Sequence, residues 1–137
     1  MTEVIVESRQ KLQQEIRSGE HRILADEPVT AGGDNTGPDP YSLLMAALGA
    51  CTSMTLKLYA QNKGWDLQSV RVTLRHGKIH AEDCMDCETK GGMLDRISRE
   101  IHMEGNLTED QMMRLREIAK RCPVHRTLTS EISIVDV

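Results

Sequence analysis

Gly37-Pro-Asp-Pro-Tyr-Ser-Leu-Leu-Met-Ala-Ala-Leu-Gly-Ala-Cys51-Thr-Ser-Met-Thr-Leu-Lys-Leu-Tyr-Ala60 is the stretch around which the rest of the chain is organised. Glycine and proline punctuation leads straight into small and apolar residues, which is how a loop enters a buried helix. Asp39 predicts the N-cap and Pro40 the first helical position. Spacings of three and four through Leu44, Leu48, Cys51, Thr55, Leu58 and Tyr59 put these residues on one face, with Cys51 on or beside the buried stripe in mid-helix. Ala46, Ala47, Gly49, Ala50, Thr52 and Ser53 make the segment narrow all round, which suits a helix crossed closely by other elements. Asn62-Lys-Gly64 ends it, Gly64 serving as the C-terminal breaker. A cysteine in such surroundings is either inert core filling or a thiol kept uncrowded.

Upstream, Val4-Ile-Val6 predicts a first strand, Ser8 to Ile16 strand or turn, and Arg17-Ser-Gly-Glu20 a hairpin turn before a strand at His21 to Ala25. Asp26 to Pro40 reads as one long loop, and a loop of that length in a small domain is more often functional than idle. Downstream, Val70 to Ile79 predicts a half-buried strand interrupted near Gly77, His80 to Gly92 a polar excursion, and Ile97, Arg99, Ile101 and Met103 a second alternating strand. Thr108 and Gln111 form a capping-box pattern opening a helix with Met112, Leu115, Ile118 and Ala119 on one face. That helix stops at Arg121-Cys122-Pro123. One more helical turn at 124–129 and a strand at Ile132 to Val137 complete an α+β plan with a mainly antiparallel sheet and a helical layer.

The 137 residues suit a single domain spanning 1–137. With one tryptophan, two tyrosines and no phenylalanine, the core must be filled by aliphatic residues and methionines, and such a core gains from burial against a second subunit. A formal charge of -4 with no Lys/Arg stripe argues against nucleic acid as a partner. No apolar run looks long enough for a bilayer, and the alternating start reads as a strand rather than a signal peptide. Four cysteines without a secretory signal predict a cytoplasmic location, where thiols act as ligands or redox groups rather than staples.

Cys122 lies where one helix ends and Pro123 starts another turn, so unpaired backbone N–H groups there favour a thiolate. His125 follows three residues on, and Arg121 and Arg126 flank the site. The bland alternative is two buried apolar cysteines. A reactive thiol with a distant second cysteine is what a two-cysteine peroxidase requires: the first becomes a sulfenic acid and the second condenses with it.

The opening stretch, Lys63-Gly-Trp65 and Ile118-Ala-Lys-Arg-Cys122-Pro-Val-His125-Arg-Thr-Leu128 together resemble the OsmC/Ohr superfamily of osmotically inducible and organic-hydroperoxide-resistance proteins, the general OsmC-like branch rather than Ohr proper. The resemblance covers nearly the whole chain, with two cysteine motifs about seventy residues apart. It implies an OsmC-like α+β fold and an intertwined homodimer in which N-terminal strands join the partner's sheet, the central helices lie in the middle, and two active sites sit at the interface. It further implies that Cys51 is the peroxidatic and Cys122 the resolving cysteine of a thiol-dependent organic hydroperoxide reductase needing no cofactor, with an external thiol as reductant. Two positions depart from the pattern. Where the family's peroxidases carry an acidic residue this chain has Tyr41, and the 26–39 loop lacks the arginine that would pair with it. Arg9, Arg17 and Arg22 lie further upstream, so Arg17, Arg22, Tyr41 and His125 are the candidates for supporting roles. These departures favour the other reading, a non-enzymatic OsmC-like protein binding a small apolar molecule or lipid. Met45 and Met54, near Cys51, are candidates to line an apolar entry.

His76-x3-His80-x3-Cys84-x2-Cys87 is a four-ligand set of a kind zinc accepts, and its C-x2-C also has a redox reading. A regular strand would set the two histidines ~13 Å apart, too far for one metal unless Gly77 breaks it. The favoured expectation is therefore a loop of reduced, partly exposed thiols with no metal. Tyr59 and Trp65 read as core or interface anchors.

Overall fold

The computed structural model describes residues 2–137. Backbone packing groups the chain into two compact units, one up to Leu44 and one from Met45 to Val137.

The first unit is an antiparallel sheet of β1 (Ile5–Ser8), β2 (Gln14–Ser18) and β3 (His21–Ala25) in sequential order. The polar stretch after β1 resolves into a turn, with Lys11 at φ 54°, followed by β2. The expected hairpin between β2 and β3 closes on the Ser18–His21 pair, with Gly19 in the left-handed conformation that its turn requires. Arg9, Arg17 and Arg22 all pair with Glu15, whose side chain is only 4% exposed. Hydrogen bonds from Arg22 and Arg9 outweigh burial and bring the Glu15 carboxyl down to about 2. The long loop holds one 3-10 turn, Val29–Ala31, and winds round buried Asp26. Asp26 accepts hydrogen bonds from the Thr36 hydroxyl at 2.6 Å and from the backbone N–H groups of Glu27, Asp34 and Thr36. The Thr36 hydroxyl foremost, with those amides, overcomes burial and lowers Asp26 to about 2.

Helix α1 runs Pro40–Lys63. Asp39 caps it by accepting from the Ser42 N–H at 3.1 Å, and Gly64, at φ 69°, ends it. Its buried row is Leu48, Gly49, Thr52, Leu56 and Ala60, a face rotated from the expected one. Leu44 and Leu58, expected inside, are exposed, and Cys51 lies beside the row, half-buried. The reason is compositional: a helix small and apolar all round offers no polar face to fix its rotation. The expectation that no run is long enough for a bilayer is also corrected, since α1 is long and apolar enough by length and composition. Here part of that apolarity is used in packing, for Leu56 and Ala60 belong to the core of the second unit.

In the second unit β4 (Asp66–His80) and β5 (Met93–Asn106) form a long antiparallel hairpin. The expected interruption near Gly77 is absent, because His76–Ile97, Gly77–Arg96 and Lys78–Asp95 remain in register. The one shift falls between Leu67 and Ser69, opposite Gly105. Helix α2 (Glu109–Ala119) opens on the capping box formed by Thr108 and Gln111, and α3 (Pro123–Leu128) follows with Cys122 as its N-cap. Leu56, Ala60, Leu67, Met103, Leu115, Ile118 and Ala119 make the core, and Tyr59 and Trp65, edge to face with each other, pack against it. Ile132 to Val137, expected as a strand, takes no regular structure, and Ile134 and Val135 are 89% and 73% exposed. The α+β class and antiparallel pairing are as expected.

Candidate active site: two cysteines beside Arg99

Two helix devices bring the cysteines together. Cys51 stands in the middle of α1, and Cys122 ends the turn after α2, where Pro123 forces the chain to restart as α3. The two thiols lie close enough for each to shift the other's ionisation. Cys122 is fully buried while Cys51 is partly open. The backbone N–H of His125 donates to the Cys122 sulfur at 3.4 Å, and the Val124 N–H interacts with both sulfurs.

The electrostatics divide the pair. For Cys122, burial raises the pKa, but the Cys51 thiol, the His125 and Val124 amides and the Thr52 hydroxyl together bring it below the ordinary thiol value. For Cys51, burial and then contact with the Cys122 thiol raise the pKa; the Val124 amide opposes them, the Cys122 charge adds a lesser rise and the Thr55 hydroxyl a lesser lowering. As the pair ionises, the inner sulfur is therefore the one favoured to carry the negative charge. That agrees with the sequence reading of Cys122, whose place at a helix start favours a thiolate.

Arg99 supplies the positive charge. It projects from β5, donates to Thr52 Oγ1 at 3.0 Å and attracts the Cys122 thiolate. Burial foremost lowers its pKa, and the Cys122 charge opposes that shift. Thr52 is wholly buried, and its single hydroxyl hydrogen can go either to the Leu48 carbonyl, 2.7 Å away, or to the Cys122 sulfur. His125 is held below its usual value by burial, then by Arg99 and Lys120, so its imidazole is neutral at pH 7. Arg99 was missed from sequence, although a signal existed. In Ile97-x-Arg99-x-Ile101-x-Met103 the arginine occupies the apolar phase of the alternation, and an arginine on an inward phase needs a partner.

Arg17 and Arg22 are engaged with Glu15 in the first unit's sheet. Tyr41 is 52% exposed in the first turn of α1. Met45 is half-buried and Met54 is 64% exposed, the latter one turn from Cys51. Cys84 and Cys87 are joined in a disulfide, which corrects the expectation of reduced thiols there. Their sulfurs are therefore not free as zinc ligands, and the His76 ring bonds Asp95 at 2.9 Å. Among the described residues no group of three or more His, Cys, Asp or Glu is placed to hold a metal ion.

Comparison with known proteins bears on this arrangement. A protein of Haloferax volcanii is 28% identical over 100 residues, covering 72% of this chain and 69% of that protein. The organic hydroperoxide resistance protein OsmC of Legionella pneumophila superposes with a TM-score of 0.66 at 16% identity, over 94% of this chain and 89% of that one. The organic hydroperoxide resistance protein OhrB of Bacillus subtilis gives 0.62 at 19% identity, over 94% and 90%. An OsmC-like protein of Vibrio cholerae gives 0.70 at 14% identity, over 96% and 95%. These structures share the fold, and the family model of the OsmC-like proteins matches residues 32–135, both cysteine motifs included. The chain belongs to the OsmC-like protein family.

Proposed function

We propose that the protein is a thiol-dependent organic hydroperoxide reductase, in which Cys51 attacks the peroxide and Cys122 resolves the product. The observation that carries this reading is the neighbouring, mutually interacting Cys51–Cys122 pair with the Arg99 charge beside it. Cys51 is the sulfur open to a substrate, so the inner thiolate serves as its base. The Cys51 proton passes to Cys122, and the Cys51 sulfur attacks the distal oxygen of ROOH. The O–O bond breaks, the alkoxide leaves as alcohol on taking a proton, and Cys51 becomes a sulfenic acid. The Cys122 thiolate, after returning its proton to solvent, attacks that sulfur, and hydroxide leaves to become water. Overall two thiols and ROOH give a disulfide, ROH and H2O. Arg99 stabilises the negative charge as it moves between the sulfurs and the peroxide oxygens. Exposed Met54 and Leu58, one and two turns from Cys51 on α1, supply apolar surface for the organic part of the substrate.

The test is consumption of cumene hydroperoxide by the reduced protein with a dithiol regenerating it. Wild type is expected to turn over, Cys51→Ser to be inactive, and Cys122→Ser to complete one reduction and stall as a sulfenic acid trapped by dimedone. Equal consumption by wild type and Cys51→Ser overturns the proposal. The engagement of Arg17 and Arg22 by Glu15 instead favours the binding reading, which native mass spectrometry for a co-purifying apolar ligand tests independently.

A further inference from the structure

The Cys84–Cys87 disulfide is not used by the proposed reaction. It sits at the turn of the β4–β5 hairpin, beyond the last ladder pair, His80 with Met93, and beyond the Ala81 N–H to Gly92 carbonyl bond of 2.8 Å. The strands are thus closed before the disulfide is reached. A bridge between residues three apart removes little chain entropy, and among residues 82–92 no side chain is buried, so it anchors no core. As a staple it has almost nothing to hold. As a redox group it is well placed: both cysteines are only half-buried, and Met85 between them is 91% exposed, leaving the sulfurs open to attack.

We propose that Cys84 and Cys87 form a second thiol–disulfide couple, separate from Cys51 and Cys122, that exchanges two electrons with an external dithiol at the hairpin tip. One thiolate of the external dithiol attacks a sulfur of the bridge, and the other cysteine leaves as a thiolate. The second external thiol, deprotonated, then attacks the mixed disulfide. Both cysteines end as thiols, two protons having come from the dithiol, which becomes the disulfide. A dithiol is the chemical class that fits, for two reasons. A monothiol would leave a mixed disulfide that the freed neighbouring cysteine reverses within the same turn. Glu82, Asp83, Asp86 and Glu88 crowd the bridge with carboxylates and only Lys90 opposes them, so an anionic monothiol such as glutathione is repelled.

The wild-type protein can be used directly, because trypsin leaves Cys84 and Cys87 on the peptide Ile79–Lys90, apart from Cys51 and from Cys122. The protein is equilibrated in graded ratios of dihydrolipoamide to lipoamide, alkylated with N-ethylmaleimide, digested and weighed. The expected result is a single reversible two-electron transition in which the peptide gains both labels together. Opening is expected to be at least ~10-fold faster with dihydrolipoamide than with glutathione at equal thiol concentration. A reduced C-x2-C protein dithiol, run in parallel, tells whether a protein or a small molecule is the better donor. A peptide that stays unlabelled at every ratio, or stays labelled in the most oxidising buffer, overturns the proposal, and so does faster opening by glutathione. The Cys84→Ser/Cys87→Ser variant is expected to keep hydroperoxide consumption at the wild-type rate. Failure of the peroxidase reading leaves the peptide's transition unchanged, so the two are separable.

Discussion

At the scale of single residues, Arg99 decides how the cysteine pair works. A buried thiolate needs a compensating charge, and the arginines available upstream are held by Glu15. Arg99→Met is expected to slow the reaction with cumene hydroperoxide by ~100-fold, the usual scale for losing one group aimed at developing negative charge. It should also raise the pH at which the thiolate absorbance at 240 nm appears. Arg99→Lys keeps a point charge but loses the directed hydrogen bond to Thr52, so it should recover part of the rate. The wild-type rate should rise with pH through a midpoint below the ordinary thiol value, because the lowered Cys122 pKa governs the first ionisation. Stopped-flow rates across pH check both statements, and an Arg99→Met variant with wild-type rate and midpoint removes Arg99 from the mechanism. Both cysteines were legible because their local punctuation, small residues round Cys51 and Pro123 after Cys122, is sequential. Arg99 was not, since its partner Thr52 lies 47 residues away on another element. The lowered Cys122 pKa was legible too, because Pro123 marks the helix start whose amides meet that sulfur.

At the scale of elements, what sequence revealed best were the ends, where chemistry is local: Asp39 and Thr108 as caps, Gly64 as breaker, the turn at Gly19. It failed where an element's orientation depends on neighbours, as in the rotated face of α1, or where pairing carries a weak pattern through, as at Gly77. The bulge at the open end of the second unit's hairpin depends on Gly105, at φ 150°, whose missing side chain leaves room for the Asp66 carbonyl and, at 3.0 Å, the Gln68 N–H. Gly105→Ala forces a backbone shift in a conformation side chains rarely adopt, at a cost of ~3 kcal/mol. Thr108→Ala loses only a cap, about 1 kcal/mol. Urea unfolding should therefore rank Gly105→Ala well below Thr108→Ala, and the opposite order contradicts this account of the bulge. In the first unit, Glu15 and Asp26 are both lowered to about 2 from 4.5 and 3.8. Groups lowered on folding contribute stability above their unfolded values and lose it as pH falls towards the folded ones. Amide protection in residues 5–39, the observed rate taken against intrinsic exchange at each pH, should accordingly fall between about pH 4.5 and 2. Asp26→Asn should be less protected at neutral pH and flatter across that window; protection unchanged from pH 7 to 2 in wild type refutes the role assigned to both carboxylates.

For the whole molecule, the open question of function is tied to assembly, because several apolar groups near the proposed site and on the first sheet have no cover within their own unit. The register of that sheet aligns Val6, Ile16 and Ile23 in one row across all three strands, and Val6 and Ile23 are 55% and 51% exposed. The opposite face of the same strands carries Glu15 and its arginines, so the row is a distinct apolar surface rather than scattered exposure. β1 is in addition an edge strand with apolar Ile5 and Val6 and no proline or lysine to block pairing. We propose that a second copy of the chain covers these surfaces, and that Met54 and Leu58 beside Cys51 share in the cover, closing the site to water while a hydroperoxide is bound. Burying one valine or isoleucine is worth about 1.5–3 kcal/mol. Val6→Lys with Ile23→Lys, which removes two such groups in each copy and sets like charges against each other, should therefore turn a dimer into a monomer at micromolar concentration. Sedimentation equilibrium reads the mass directly, and circular dichroism shows whether the variant keeps its fold. If assembly completes the site, the monomeric variant should also lose hydroperoxide consumption while its Cys51 and Cys122 remain reducible. A wild type that sediments as a monomer refutes the assembly, and a folded monomeric variant with full activity separates assembly from catalysis.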